Sequence, residues 1–219
     1  MPSRDWSDEI PAHVSVVNGD AQLERDGNVE DLDENMPLLA GDRIRTDRGR
    51  VEVLFSDGSV LDLDEYTDVA FLSDDLLHMA DGRLRLVIAR TDSETRYRVD
   101  AAGTIAWLQA AGEYRVAIED DDPDPDPEVR LGVLRGAAEL QSPLGRTALR
   151  AGDETAANDR TAPARPYATI ASSRDAFDLW IEQQYDDRAG SRSLSAQYLP
   201  ADLRHYGSVF DREGSWLYE

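Results

Sequence analysis

Residues 50–64 read Arg50-Val51-Glu52-Val53-Leu54-Phe55-Ser56-Asp57-Gly58-Ser59-Val60-Leu61-Asp62-Leu63-Asp64. Val51, Val53 and Phe55 alternate with Glu52, and Leu61 and Leu63 alternate with Asp62 and Asp64. A period of two means strands with one buried face and one wet face. A two-residue loop at Asp57-Gly58 would set Val53 opposite Asp62 and mix the faces. A three-residue loop, Ser56-Asp57-Gly58, sets Val53 opposite Leu61 and Val51 opposite Leu63, with Gly58 free to turn left-handed. The second register is expected.

The same period recurs outward from this pair. Val14, Val16, Asn18-Gly19, Ala21 and Leu23 read as a hairpin around a tight turn. Leu84, Leu86 and Ile88 alternate with Arg83 and Arg85, and Tyr97 and Val99 alternate with Arg96, Arg98 and Asp100. Tyr114, Val116 and Ile118 form another set, and Val129, Leu131 and Val133 the next. These strands follow one another too closely for crossover helices, so the class is all-β rather than βαβ.

The chain also echoes itself. Val16-Val17-Asn18-Gly19-Asp20-Ala21-Gln22-Leu23 resembles Val133-Leu134-Arg135-Gly136-Ala137-Ala138-Glu139-Leu140. Downstream of each comes a tag, Leu38-Leu39-Ala40-Gly41-Asp42 and Leu149-Arg150-Ala151-Gly152-Asp153. Two related half-units of a β-sandwich or a short twisted β-solenoid are expected from such a repeat. Residues 12–157 are read as this β domain.

Residues 119–128 hold seven acidic residues and three prolines, which precludes a packed element and reads as an exposed loop. A linker is expected over 158–171, where Ala, Pro and Arg dominate. An amphipathic helix is expected over 172–190, capped by Ser172-Ser173, with Phe177, Trp180, Ile181 and Tyr185 as its apolar stripe. Residues 191–219 form an aromatic-rich tail holding Tyr198, Tyr206, Phe210, Trp216 and Tyr218, five of the sixteen aromatic residues.

Composition narrows the function. The net charge is −22, from 45 acidic and 23 basic residues, and every basic residue is Arg, as a GC-rich genome would produce. Such a charge repels polyanions, and no basic stripe is present to displace counterions, so nucleic acid is excluded as a partner. Anionic headgroups are disfavoured likewise, and no apolar run is long enough to insert into a membrane. The absence of cysteine removes disulfides, thiolate metal sites and thiol nucleophiles together. The start, Met1-Pro2-Ser3-Arg4-Asp5-Trp6, has no basic n-region followed by an apolar h-region, which fits either a cytoplasmic chain or one from which a leader was removed and a start Met supplied.

No catalytic set is legible. His13, His78 and His205 share no spacing with a nucleophile, and His78, in Leu76-Leu77-His78-Met79, reads as half-buried beside a strand. Asp120, Asp122, Asp124 and Asp126 alternate like a calcium loop, but Gly at the sixth place and Glu at the twelfth are both missing. No metal, cofactor or catalytic residue is therefore expected. The aromatic tail is the one candidate partner-binding set, because Tyr and Trp dominate binding hot spots.

Gly41-Asp42-Arg43-Ile44-Arg45-Thr46, Gly49-Arg50-Val51-Glu52-Val53, Asp57-Gly58-Ser59-Val60-Leu61 and Leu63-Asp64 together resemble the heart of a FecR domain. Tyr97-Arg98-Val99-Asp100, Ala102-Gly103-Thr104, Tyr114-Arg115-Val116 and the stretch from Val133 to Asp153 resemble its second half. Phe177-Asp178-Leu179-Trp180, Tyr198-Leu199-Pro200, Leu203, Tyr206-Gly207, Asp211 and Gly214-Ser215-Trp216 look like the start of a tail that follows such domains in large envelope proteins. The chain is accordingly read as an excerpt of a longer polypeptide.

The resemblance implies a non-catalytic, periplasmic or exported module for protein contacts in envelope signalling or assembly, its leader absent from this chain. FecR relatives include membrane-spanning regulators that control a sigma factor. This chain has neither a spanning segment nor a helical sigma-binding region, so only the extracytoplasmic module carries over. An unidentified envelope protein is the expected partner. The alternative is a module that binds glycan or cell-wall polymer through the tail aromatics.

Overall fold

The computed structural model describes residues 12–73, 75–89, 97–119, 127–168 and 175–190. Two β-sheets and one helix form from them. The first sheet has eight strands, in the order β1 (His13–Asn18), β5 (Arg50–Leu54), β6 (Val60–Leu63), β9 (Arg83–Ile88), β12 (Gly112–Glu119), β13 (Glu128–Arg135), β16 (Asp153–Ala157) and β17 (Tyr167–Ala168). The second has nine, in the order β15 (Gly145–Arg150), β14 (Ala137–Ser142), β11 (Thr104–Leu108), β10 (Tyr97–Ala101), β8 (Leu76–Asp81), β7 (Asp68–Ser73), β4 (Arg43–Thr46), β2 (Ala21–Arg25) and β3 (Asn28–Asp31). Their inward side chains make one apolar core, with Val51, Leu61, Leu86 and Tyr114 from the first sheet facing Leu23, Ile44, Met79 and Leu140 from the second. This is a β-sandwich. The chain also advances steadily across both layers, one or two strands at a time, as a flattened solenoid does.

The deciding hairpin has the expected register: Val53 pairs with Leu61, and Val51 with Leu63. The Phe55 amide donates to Ser59 O at 2.9 Å and the Gly58 amide to Phe55 O at 3.0 Å, closing a three-residue loop with Gly58 at φ +86°. Its polar face departs from expectation. Glu52, Asp62 and Asp64 are 1%, 0% and 7% exposed, so that face is not wet. The guanidinium groups of Arg50, Arg83 and Arg85 bind Asp64 and Asp62 in place of water.

The Asn18-Gly19 turn is likewise not a hairpin. β1 pairs with β5 in one sheet, while β2 pairs with β3 and β4 in the other. The turn is an arch that carries the chain between layers, because both flanking apolar sets face the shared core. A bulge between Val14 and Val16 shifts the register of β1, so Val17, opposite Val51, packs on the core instead of Val16. Gly136 makes the matching arch from β13 to β14.

The Gly-Asp tags match locally as well. The Leu39 amide donates to Asp42 Oδ2 at 2.8 Å, and the Arg150 amide to Asp153 Oδ2 at 2.9 Å. They lead in different directions, into β4 of the nine-stranded sheet and β16 of the eight-stranded one. β8 and β10 run parallel, Val99 opposite Leu77, and the intervening β9 in the other sheet serves as the crossover.

The compact β unit extends to Thr169. Ser142 Oγ donates to Thr161 O at 2.7 Å and Thr155 Oγ1 to Ala164 O at 2.8 Å, which pins residues 161–164 to the sandwich. The second unit, Ile170–Glu219, contains α1 (Ala176–Gly190). Its cap is Asp175, whose Oδ1 accepts from the Asp178 amide at 2.9 Å while Asp178 Oδ2 accepts from the Asp175 amide at 3.4 Å. Ser172-Ser173 lie outside the described residues. Phe177, Trp180 and Ile181 are buried as the period predicts, and the rings of Phe177 and Trp180 stack. Tyr185 is 62% exposed and leaves the stripe.

Candidate functional site

Three arrangements stand out from the scaffold. The first is the corner at Asp42, on the turn entering β4. Its carboxylate accepts from Arg25 Nε at 2.8 Å and Nη2 at 2.6 Å, and from the Leu39 amide. Burial alone would raise the Asp42 pKa, but the Arg25 guanidinium and the Leu39 amide outweigh it and hold it below the usual carboxylate range. Arg25 Nη2 also donates to Pro37 O at 2.7 Å, so one side chain joins β2 to the loop before β4.

The second is the Asp57 turn. Asp57 Oδ1 accepts from the Ser59 amide at 2.7 Å, and Oδ2 accepts from Ser59 Oγ at 2.8 Å and Tyr97 Oη at 2.7 Å. Ser59 Oγ accepts in turn from the Ala89 amide at 3.1 Å. The Tyr97 ring meets Phe55 edge-on at 6.2 Å. The Asp-Gly-Ser turn thus locks the start of β10 across the sandwich, and its polar atoms are spent on structure.

The third lies on the outer faces of the sheets. On the eight-stranded sheet one registered row runs Val16, Glu52, Asp62, Arg85, Arg115, Gly132, Glu154, Tyr167. Arg85 bridges Asp62 at 3.2 Å and Glu113 at 2.8 Å, while Arg130 joins Glu119 to Glu154. Burial and the adjoining Glu154 carboxylate raise the Tyr167 pKa. On the nine-stranded sheet, half-buried Trp107 stands outward between Arg98 and Glu139 in register. Arg98 lies over its ring at 5.2 Å from the centroid, and Trp107 Nε1 donates to Gln141 Oε1 at 3.3 Å. Ile105-Ala106-Trp107-Leu108 is apolar throughout, so its alternation is hidden. Only the burial of Ala106 and Leu108 shows that Trp107 faces out.

The histidines do not converge. His13 is half-buried in β1 on one sheet, and His78 lies within β8 on the other, where it is exposed rather than half-buried. His205 lies outside the described residues, as do Tyr198, Tyr206, Phe210, Trp216, Tyr218 and residues 120–126 of the acidic loop. Glu119 and Glu128 face each other where that loop leaves and rejoins the sheet. Among the described residues no three His, Cys, Asp or Glu side chains are grouped to hold a metal ion. A cleft of about 740 Å³ opens between Gly19, Gln22, Asp31, Arg45 and Asp47. Its carboxylates make it suited to cations and unsuited to anions. No helix among the described residues is long and apolar enough to cross a membrane.

Comparison with known proteins fits this scaffold. Residues 42–139 match the family model described as FecR protein, from the Asp42 corner through the Asp57 turn to the middle of β14. No curated protein matches the chain. Two matching solved structures, both of a "putative anti-sigma factor" from Parabacteroides distasonis, share 18% and 17% identity with it, at TM-scores of 0.47 and 0.46. Each match covers 59% of this chain and 62% of the other, so the chain spans about three fifths of those proteins. Strands β1 to β3 and β15 to β17 flank the family match and complete the two sheets at either end. Over residues 42–139, just under half of its length, the chain is similar to a FecR domain.

Proposed function

We propose that the chain is a non-catalytic module of the bacterial cell envelope, periplasmic or exported, that acts in signalling by holding a protein partner. The observation that carries this reading is the use made of the FecR-pattern residues. Asp42, Asp57, Ser59 and Tyr97 are all engaged in bonds that fix turns to strands, so the pattern specifies a scaffold and not a reaction centre. A scaffold acts through its surface. The Trp107–Arg98 pair on the nine-stranded sheet has the residue types that dominate protein hot spots, and the tail aromatics Tyr198, Tyr206, Phe210, Trp216 and Tyr218 extend the same chemistry. A sugar stacking on Trp107 would have to displace Arg98, which favours a protein over a glycan on this face.

Site-specific photo-crosslinking in envelope fractions tests the reading. A crosslinker at position 107 should capture a discrete envelope protein, while one at position 39, on the exposed turn before β4, should not. Crosslinking at 107 that yields only random or cytoplasmic adducts would count against it. Quenching of tryptophan fluorescence by peptidoglycan fragments, abolished by Trp216→Ala, would favour the glycan alternative instead.

A further inference from the structure

The nine-stranded sheet ends in two strands, β3 and β15, and these edges differ in charge. All four residues of β3 are exposed, including Val29, Glu30 and Asp31. Residues 18–36, which contain this edge, carry seven carboxylates and one arginine. β15 carries Arg146, Ala148 and Arg150 on its exposed positions, and the β14–β15 hairpin, residues 137–150, holds two arginines against one glutamate. A net positive tract is unexpected in a chain of net charge −22. Arg146 is 75% exposed and lies 4.0 Å from Glu139, its only carboxylate contact among the described residues.

The eight-stranded sheet treats its edge differently. Residues 35–38 cover β1, with Val14 N donating to Met36 O at 2.9 Å and Leu38 N donating to Ala12 O at 2.7 Å. Among the described residues no backbone bond is made to the outer side of β3 or of β15. Their directions matter too. Between β3 and β15 lie seven antiparallel steps and one parallel step, so the two edges run in opposite senses. A second copy displaced along the sheet would therefore bring its β15 antiparallel to β3.

We infer that β3 of one copy pairs with β15 of a second copy of this chain, extending the nine-stranded sheet head to tail. The register that sets Asp31 opposite Arg146 also sets Val29 opposite Ala148, with both pairs on the outer face. The contact is heterologous, so its repetition builds open chains or rings and not a capped dimer. This reading goes beyond the proposed function and does not depend on it, since a partner captured at Trp107 would leave both edges available.

Complementary edge variants of the 219-residue chain test it by sedimentation velocity from micromolar to submillimolar concentration. The unmodified chain should grow in mean mass with concentration. Asp31→Arg and Arg146→Glu should each weaken self-association by about tenfold or more, the scale of reversing one cross-strand charge pair. In an equimolar mixture of the two variants both kinds of contact are charge-matched, the original Asp31–Arg146 pair and the same pair with its signs exchanged, so the mixture should regain the association that each variant alone has lost. Circular dichroism establishes that both variants are folded. Monomer at every concentration, or association that survives either reversal unchanged, overturns the inference.

Discussion

Arg25 holds Asp42 with two parallel bonds, Nε to Oδ1 at 2.8 Å and Nη2 to Oδ2 at 2.6 Å, and so ties β2 to the turn that opens the family match. The folded pKa of Asp42 lies below its unfolded value, which for an aspartate is about 3.9. Its contribution is therefore complete above the unfolded pKa and is lost as pH falls through the folded one. Urea midpoints measured from neutral pH downward should decline less steeply in Asp42→Asn than in the parent. Arg25→Ala, which leaves the buried carboxylate without its main partner, should cost about 2–3 kcal/mol at neutral pH. Identical pH profiles for parent and Asp42→Asn would show that this corner is not the acid-sensitive element.

Tyr114 and Gly136 should behave as one unit. Tyr114 Oη donates to Ala110 O at 2.7 Å and accepts from the Ala137 amide at 3.3 Å, and burial raises its pKa. It sits directly under Gly136, which has φ +96°, and a Cβ there would collide with the hydroxyl. Tyr114→Phe should cost about 1–2 kcal/mol through the stranded amide. Gly136→Ala should cost about 3 kcal/mol from collision and backbone strain. In the double variant the nearest colliding atom is gone, so the combined loss should be smaller than the sum of the two. Strict additivity would mean that backbone strain alone sets the cost of Gly136→Ala.

What the sequence revealed divides along one physical line. Alternation reports which face of a strand is buried, so Val51, Leu63, Leu86 and Val116 were legible as core and the deciding register came out correctly. It does not report which sheet a strand joins. Asn18-Gly19 fits a hairpin or an arch equally well, and only the long-range pairing of β1 with β5 decides. Nor does alternation distinguish water from ion pairs on the polar face, and so Glu52 and Asp62 read as wet. The Arg25–Asp42 clasp, separated by seventeen positions, and the Tyr97–Asp57 bond, separated by forty, have no local signature at all.

The β unit should fold without the rest of the chain. Its apolar core is drawn entirely from residues 12–157, and residues 161–164 are held by Ser142 and Thr155. A chain ending at Thr169 should therefore give the circular dichroism of a β protein and one cooperative thermal transition. A molten spectrum with a broad transition would show that Ile170–Glu219 is needed to complete the fold.

The exclusive use of arginine has two explanations, genome composition and geometry, and single Arg→Lys changes separate them. Arg50 uses two different nitrogens on two carboxylates, Nε to Asp64 at 2.8 Å and Nη2 to Glu65 at 2.7 Å, and its side chain is 17% exposed. An ammonium is a point donor and cannot span both partners from the end of a lysine stem in the same way. Arg50→Lys should therefore lower stability by about 1 kcal/mol although the charge is unchanged. Arg146, 75% exposed with its nearest carboxylate at 4.0 Å, makes no such paired contact, so Arg146→Lys should leave stability unaltered. Where both changes are silent, codon usage accounts for the missing lysine. Where Arg50→Lys alone is costly, the eight-stranded sheet has come to depend on the planar fork to keep Asp64 buried.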